Sequence, residues 1–179
     1  MSVDCPLDCE FLQEAHKHER VAGVEPADFP HQDIHINERF LRENEWALTF
    51  LARSLLDLSL RTPGVIDFDV REALDALART YRTLQSGIYY ESRPTNPIAA
   101  GIYAGMQESV ERYRQMEREQ AGMTKTGDAA LLGIFVFLQR LELDRNNNRK
   151  RGRAFIDFLR GQFAPAEAPA TAPSPLIVP

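Results

Sequence analysis

The sequence is poor in cysteine and has no histidine beyond residue 35. It contains two Cys, four His and one Trp in 179 residues. Two Cys cannot form a disulfide framework and cannot hold an iron–sulfur cluster alone, so small disulfide scaffolds and clusters held only by Cys of this chain are excluded. A ferritin-type di-iron site needs Glu-x-x-His on two helices, and the absence of His from residues 36–179 excludes that class as well.

Long hydrophobic runs are also absent. The longest apolar stretch, residues 129–138, would extend about 15 Å as a helix, whereas a membrane span needs about 20 residues. The N-terminal residues carry acids and no apolar core, unlike a secretory signal. Neither a P-loop nor a GxGxxG motif occurs. We therefore expect a cytoplasmic protein without a membrane partner.

Helical periodicity dominates the middle of the chain. A leucine stripe begins after Glu38 and stops at the breaker Thr62-Pro63-Gly64. Asp69 and Glu72 have the spacing of a capping box and predict the start of the next helix. That helix carries a seam with 3-4-3-4 spacing: Leu74, Leu77, Tyr81, Leu84 and Ile88.

Three further helices are predicted by their boundaries. Asn96-Pro97 is typical of a helix start, and this helix should end near Gln120. A fourth helix should begin near Asp128, and the Asn run 146–148 weakens it. The last helix, around residues 155–163, either is separate or continues the fourth, because Asn costs a helix little.

These patterns predict an all-α protein, a four- or five-helix bundle. We divide the chain into an N-terminal arm with a short helix (residues 1–37), the bundle (38–163) and an Ala/Pro-rich tail (164–179) that we expect to be disordered and extended. Charge follows the same division, since residues 1–38 carry −7 and the other residues +2.

The arm also contains every Cys and His of the chain. Thiolate and imidazole together suit zinc, or iron. Cys5 and Cys9 are four residues apart, as are His31 and His35, so the four side chains predict one Cys2His2 site if the second pair lies on a helical turn. His16 and His18 are alternates. In the competing interpretation these residues pack or face solvent without any metal.

Two other features are candidates for binding. The run Arg145, Arg149, Lys150, Arg151 and Arg153 has five cations and no acid, which favours contact with nucleic acid or another anion, or else a solvated helix junction. Tyr89, Tyr90 and Arg93 follow the second long helix and are candidates for a ligand pocket or a self-association surface.

No enzyme motif accompanies these features. We predict a non-enzymatic binding protein whose arm holds one zinc-like ion, with a protein partner or self-association. One alternative is a metal-free interaction module that uses residues 145–153 to bind an anionic partner. A small enzyme that uses a metal-bound water in the arm is the other alternative.

Overall fold

A computed structural model of the protein describes residues 29–163. Six α-helices form this part of the chain, and it contains no β-sheet, so the predicted all-α bundle is confirmed. The helices are α1 (Glu38–Glu43), α2 (Glu45–Arg61), α3 (Asp67–Gln85), α4 (Pro97–Ala121), α5 (Asp128–Arg145) and α6 (Ala154–Phe163). Within residues 29–163, no helix combines the length and the apolar character that crossing a membrane requires.

The bundle is built around α3. This helix packs against α5 and α4, while α2 packs against α4 and α6. The apolar faces of these five helices form one buried cluster, and a short α1 lies at its edge. Side chains that are at most 1% exposed lie on every one of these five helices: Leu51, Leu55, Leu74, Leu77, Ile102, Met106, Ile134, Phe135 and Phe155.

The leucine stripe after Glu38 forms two helices. At Asn44 the side-chain amide donates to the carbonyl of Phe40 at 2.9 Å, and the backbone N–H donates to the same oxygen at 3.1 Å. These bonds end α1 at Glu43, and α2 begins at Glu45 and continues to Arg61. The predicted stop at Thr62-Pro63-Gly64 is observed.

Residues 29–37, which we call the strap, cross the seam between α3 and α5. Arg140 on α5 donates to the backbone carbonyls of His31 (2.6 Å) and Ile34 (3.1 Å). Arg82 on α3 forms a bidentate ion pair with Asp33 at 2.7 and 3.0 Å. The strap is thus attached to both helices before Asn37 caps α1.

The start of α3 differs from the predicted capping box. The helix begins at Asp67, and Asp69 is its third residue, whose carboxylate accepts from the backbone N–H of Ile66 at 2.9 Å. Glu72 instead accepts from the N–H groups of Thr95 and Asn96. At the other end the helix stops at Gln85, so Ile88 lies beyond the seam and is 60% exposed.

The remaining boundaries follow their caps. Asn96 accepts from the N–H of Ile98 at 2.9 Å, with Pro97 in the first turn of α4, as predicted. This helix ends at Ala121 because Gly122 adopts the left-handed conformation, with φ +72°. The predicted start of α5 at Asp128 is also observed.

α5 and α6 are separate helices. The side-chain amide of Asn146 turns back onto the carbonyls of Glu142 and Leu143, both at 2.9 Å, and Asn148 is left-handed with φ +54°. Two backbone N–H groups at the start of α6, those of Phe155 and Ile156, are bound by the carboxylate of Asp67 on α3. The Asn run therefore ends α5.

Candidate ligand-binding site

A cavity of about 520 Å³ opens between α3 and α5 beside the strap. We call it the α3–α5 pocket. The two helices run antiparallel here, since Arg71 pairs with Glu142 whereas Asp75 faces Gln139. Its apolar walls are contributed by the strap, by α3 and the residue before it, and by the last turns of α5: Pro30, Ile66, Phe68 and Leu143.

A buried ion pair lies at one side of this pocket. Arg71 donates two hydrogen bonds to the Glu142 carboxylate, at 2.7 and 3.1 Å, and its guanidinium lies 4.7 Å from the centre of the Phe68 ring. The Glu142 side chain is completely buried. Burial raises the pKa of Glu142, and the adjacent Arg71 opposes that rise. The positive charge of Arg71 is therefore neutralised by Glu142 within the protein.

Three carboxylates of α3 line the same pocket at a spacing of three residues. Asp69 accepts from Ile66 and from the side-chain amide of Asn96. Glu72 uses Oε1 for the backbone N–H groups that precede α4, and Oε2 takes no part in these bonds. Asp75 pairs through Oδ2 with Arg79. Since residues three apart share one helix face, the acids place negative charge along one wall.

Gln139 on α5 is the unusual polar group of the pocket. The residue is 4% exposed, and its Nε2 lies 3.4 Å from Oδ1 of Asp75. Its Oε1 is buried and accepts no hydrogen bond. A buried acceptor without a donor costs about 1–3 kcal/mol of stability. Gln139 lines the pocket, so this oxygen is an acceptor for a bound molecule that can reach it.

His31 lies in the strap beside this site. Its backbone is left-handed, with φ +59°, and residues 31–34 form a turn in which the N–H of Ile34 donates to the His31 carbonyl at 2.9 Å. The Nε2 atom is buried without a hydrogen-bond partner. Burial is the main cause that lowers the pKa of His31, with Arg82 acting in the same direction. We therefore expect a neutral imidazole at pH 7.

The predicted metal ligands are placed only in part. Cys5, Cys9, His16 and His18 lie outside the described residues. His35 is exposed, and residues 35–37 have no regular secondary structure, so the helical turn that would align it with His31 is not present. Within residues 29–163, no group of three or more His, Cys, Asp and Glu could hold a metal ion. The alignment of His31 with His35 that the Cys2His2 site required is therefore not observed, and metal binding that involves Cys5 and Cys9 stays a prediction.

The basic run forms the connection between α5 and α6. Its five cationic side chains are exposed, and residues 149–152 form a turn closed by the N–H of Gly152 and the carbonyl of Arg149 at 3.0 Å. Arg145 pairs with Asp144 and lies 5.0 Å from the Phe158 ring centre. Contact of Arg149, Lys150, Arg151 and Arg153 with an anionic partner stays a prediction.

The tyrosine pair lies after the end of α3. Tyr89 and Tyr90 are 86% and 64% exposed, in a stretch without helix. Arg93 forms an ion pair with Glu91 at 2.8 Å. None of the three residues lines the α3–α5 pocket. A self-association surface at this place remains a prediction.

Sequence reasoning missed the polar residues of the pocket. Gln139 and Glu142 follow the buried Phe135 and Leu138 at a spacing of four, so they continue the buried face of α5. A polar residue at a position that periodicity assigns to the core is the signal that would have identified them. Their partners on α3 are 64 and 71 residues away in sequence, and no local pattern identifies those.

The sequence and the structure were compared with known proteins, and no relative was found. The chain matches no protein-family model, no curated protein and no solved structure.

Proposed function

We propose that the protein is a non-enzymatic binding protein whose α3–α5 pocket takes a small organic cation, an amine or guanidinium that carries an apolar group. The observation that carries this proposal is the buried, unpaired Oε1 of Gln139. This oxygen is closed to water in the structure, so a ligand N–H would reach it through a rotation of the Gln139 side chain and would then supply the missing donor. The free energy of binding would then include recovery of most of the cost of leaving this oxygen unpaired.

Charge favours a cation over an anion. Asp69, Glu72 and Asp75 line the pocket, and the cationic Arg71 is neutralised by Glu142. The volume of about 520 Å³ is within the range of small-molecule sites, and Phe68 and Leu143 provide surface for a hydrocarbon group. Each of these three carboxylates also forms a hydrogen bond or ion pair with a backbone or side-chain group of the protein, which fits a role in binding.

The test uses three probes of similar size: 2-phenylethylamine, phenylacetate and 2-phenylethanol. Thermal unfolding is followed with each probe at millimolar concentration. We expect the amine to raise Tm in a saturable manner, because a ligand that binds only the folded state stabilises it, while phenylacetate leaves Tm unchanged. An equal effect of all three probes, or no effect of the amine, would contradict the proposal.

A variant pair assigns any effect to the pocket. Gln139→Leu removes the unpaired oxygen at nearly constant volume and should abolish the response to the amine. Gln162→Leu, at an exposed position in the last turn of α6, should keep it. Gln139→Leu removes a buried unpaired acceptor but also the long hydrogen bond to Asp75, so we expect its unliganded Tm to stay close to that of the wild type. An amine response that survives in Gln139→Leu would exclude this pocket.

The metal ion in the arm is a second proposal, favoured by one observation. Nε2 of His31 is buried and unpaired, and the lowered pKa keeps it neutral, as a metal ligand must be. Elemental analysis of protein purified without a metal-affinity tag should find zinc or iron in the wild type and its loss in Cys5→Ser/Cys9→Ser. Less than about a tenth of an equivalent in the wild type would refute this site.

A further inference from the structure

A second cavity, of about 600 Å³, lies between the first turns of α2 and the last turns of α4. We call it the Trp46 groove. Phe50 and Tyr113 line it and contact each other, with ring centres 5.3 Å apart and planes inclined by 45°. Trp46 and Met116 stand at its sides and are 83% and 40% exposed. No residue of the described range 29–163 covers the Trp46 indole.

One wall of the groove is fixed by hydrogen bonds. Glu117 on α4 accepts from the backbone N–H groups of Lys125 and Thr126, both at 3.1 Å, and from the Thr126 hydroxyl at 2.7 Å. These bonds attach the connection between α4 and α5 to α4. The groove is therefore formed in advance, which reduces the entropy that a docking segment must lose.

The described part of the chain ends close to this groove. Phe163, the last residue of α6, lies with its ring centre 5.8 Å from the guanidinium of Arg53 on α2. Arg53 follows Trp46 by seven residues, so the two share a helix face and lie about 10 Å apart along the axis. Phe50 lies between them and lines both the Trp46 groove and the neighbouring cavity that contains Arg53.

The sequence after Phe163 has the composition that such a groove recognises. Residues 173–179 read PSPLIVP, with three prolines, three large aliphatic side chains and no charge. Aromatic-lined grooves bind proline-rich segments, because such segments lose little entropy when they are held extended. The 13 residues from Phe163 to Leu176 can reach at most about 45 Å, which exceeds the roughly 10 Å along α2.

We propose that residues 173–179 dock in the Trp46 groove of the same molecule and occupy it as an intramolecular plug. The tether makes the local concentration of the segment about millimolar, so weak intrinsic affinity is sufficient. A partner that uses this groove would have to displace the plug. The proposal is independent of the α3–α5 pocket, which is lined by other helix faces.

The only tryptophan of the chain reports on this contact. The full-length wild type is compared with full-length Leu176→Asp/Ile177→Asp/Val178→Asp by Trp fluorescence and acrylamide quenching. We expect the wild type to emit at shorter wavelength and to be quenched at least twofold less. Ser174→Ala, which changes the same segment without adding charge, should behave as the wild type.

Addition of a synthetic peptide of residues 170–179 to the triple variant should restore the wild-type emission in a saturable manner. Equal emission and quenching of the wild type and the triple variant would overturn the proposal. So would a difference that disappears on dilution, because that result would place the segment of a second copy in the groove.

Discussion

Asp67 joins two helices that are far apart in the sequence, and its removal is a sharp test of the fold. The residue is 2% exposed, and its carboxylate accepts from the N–H groups of Phe155 (3.1 Å) and Ile156 (3.2 Å). Asp67→Ala leaves both donors of α6 buried without a partner. A lost helix cap costs about 1–2 kcal/mol, and each buried unpaired group costs about 1–3 kcal/mol.

Part of this cost is offset. Burial raises the pKa of Asp67, against the effect of the backbone N–H groups, so the charged carboxylate is itself destabilised in the folded protein. We therefore expect a net loss of about 2–3 kcal/mol for Asp67→Ala. For a chain of this length the loss corresponds to a fall in Tm of about 5–10 °C.

Urea unfolding followed by circular dichroism measures this loss through the midpoint at an unchanged m-value. The matched control is Asp157→Ala, at an exposed position in the first turn of α6, which should change the free energy of unfolding by about 0.5 kcal/mol or less. A change below about 0.5 kcal/mol for Asp67→Ala would refute the assignment of Asp67 as the cap of α6.

The same carboxyl group predicts a pH dependence with a definite sign. Burial raises its pKa in the folded state above the usual value of 3.8, so the folded protein binds the proton more tightly than the unfolded chain does. Relative to Asp67→Asn, the wild type should gain stability as the pH falls from 7 through the raised pKa toward 3.8, and lose that gain as the pH rises again. A difference between the two proteins that is constant with pH would contradict the raised pKa.

Three further predictions concern packing, the buried ion pair and the basic run. In a thermal unfolding assay, Gly133→Ala should destabilise the protein by about 1–2 kcal/mol, because the new methyl group would overlap the Phe40 ring, whose Cε2 would lie 2.8 Å away. In the same assay the control Gly101→Ala, whose methyl group meets nothing within 4 Å, should be neutral or stabilising. Glu142→Ala should cost about 3 kcal/mol in urea unfolding because it leaves Arg71 unpaired, whereas Asp144→Ala, whose ion pair is exposed, should cost less than about 1 kcal/mol. If residues 145–153 bind nucleic acid, Arg149→Glu/Arg151→Glu should weaken a salt-dependent mobility shift of DNA or RNA, and the lack of any wild-type shift at low salt would exclude that role.

The sequence by itself determined most of the helices and most of their ends. Asn96-Pro97 and Thr62-Pro63-Gly64 act on hydrogen bonds within a few residues of themselves, so the boundaries that they predict are observed. The buried face of α3 follows from periodicity for the same reason, as Leu74, Leu77 and Tyr81 show. Local chemistry is sufficient for features of this kind.

Only the tertiary structure decided which helix faces pack together and which partners their polar residues bind. Periodicity places Gln139 and Glu142 on a buried face, but it does not identify Asp75 and Arg71 as their neighbours. Asp67 lies at the start of α3 in sequence and yet caps α6, 88 residues away. Such roles depend on how helices pack, and packing is determined by contacts summed over the whole bundle, which no single segment encodes. The exposure of Trp46 and the unpaired oxygen of Gln139 arise from that packing, and both proposed binding sites depend on it.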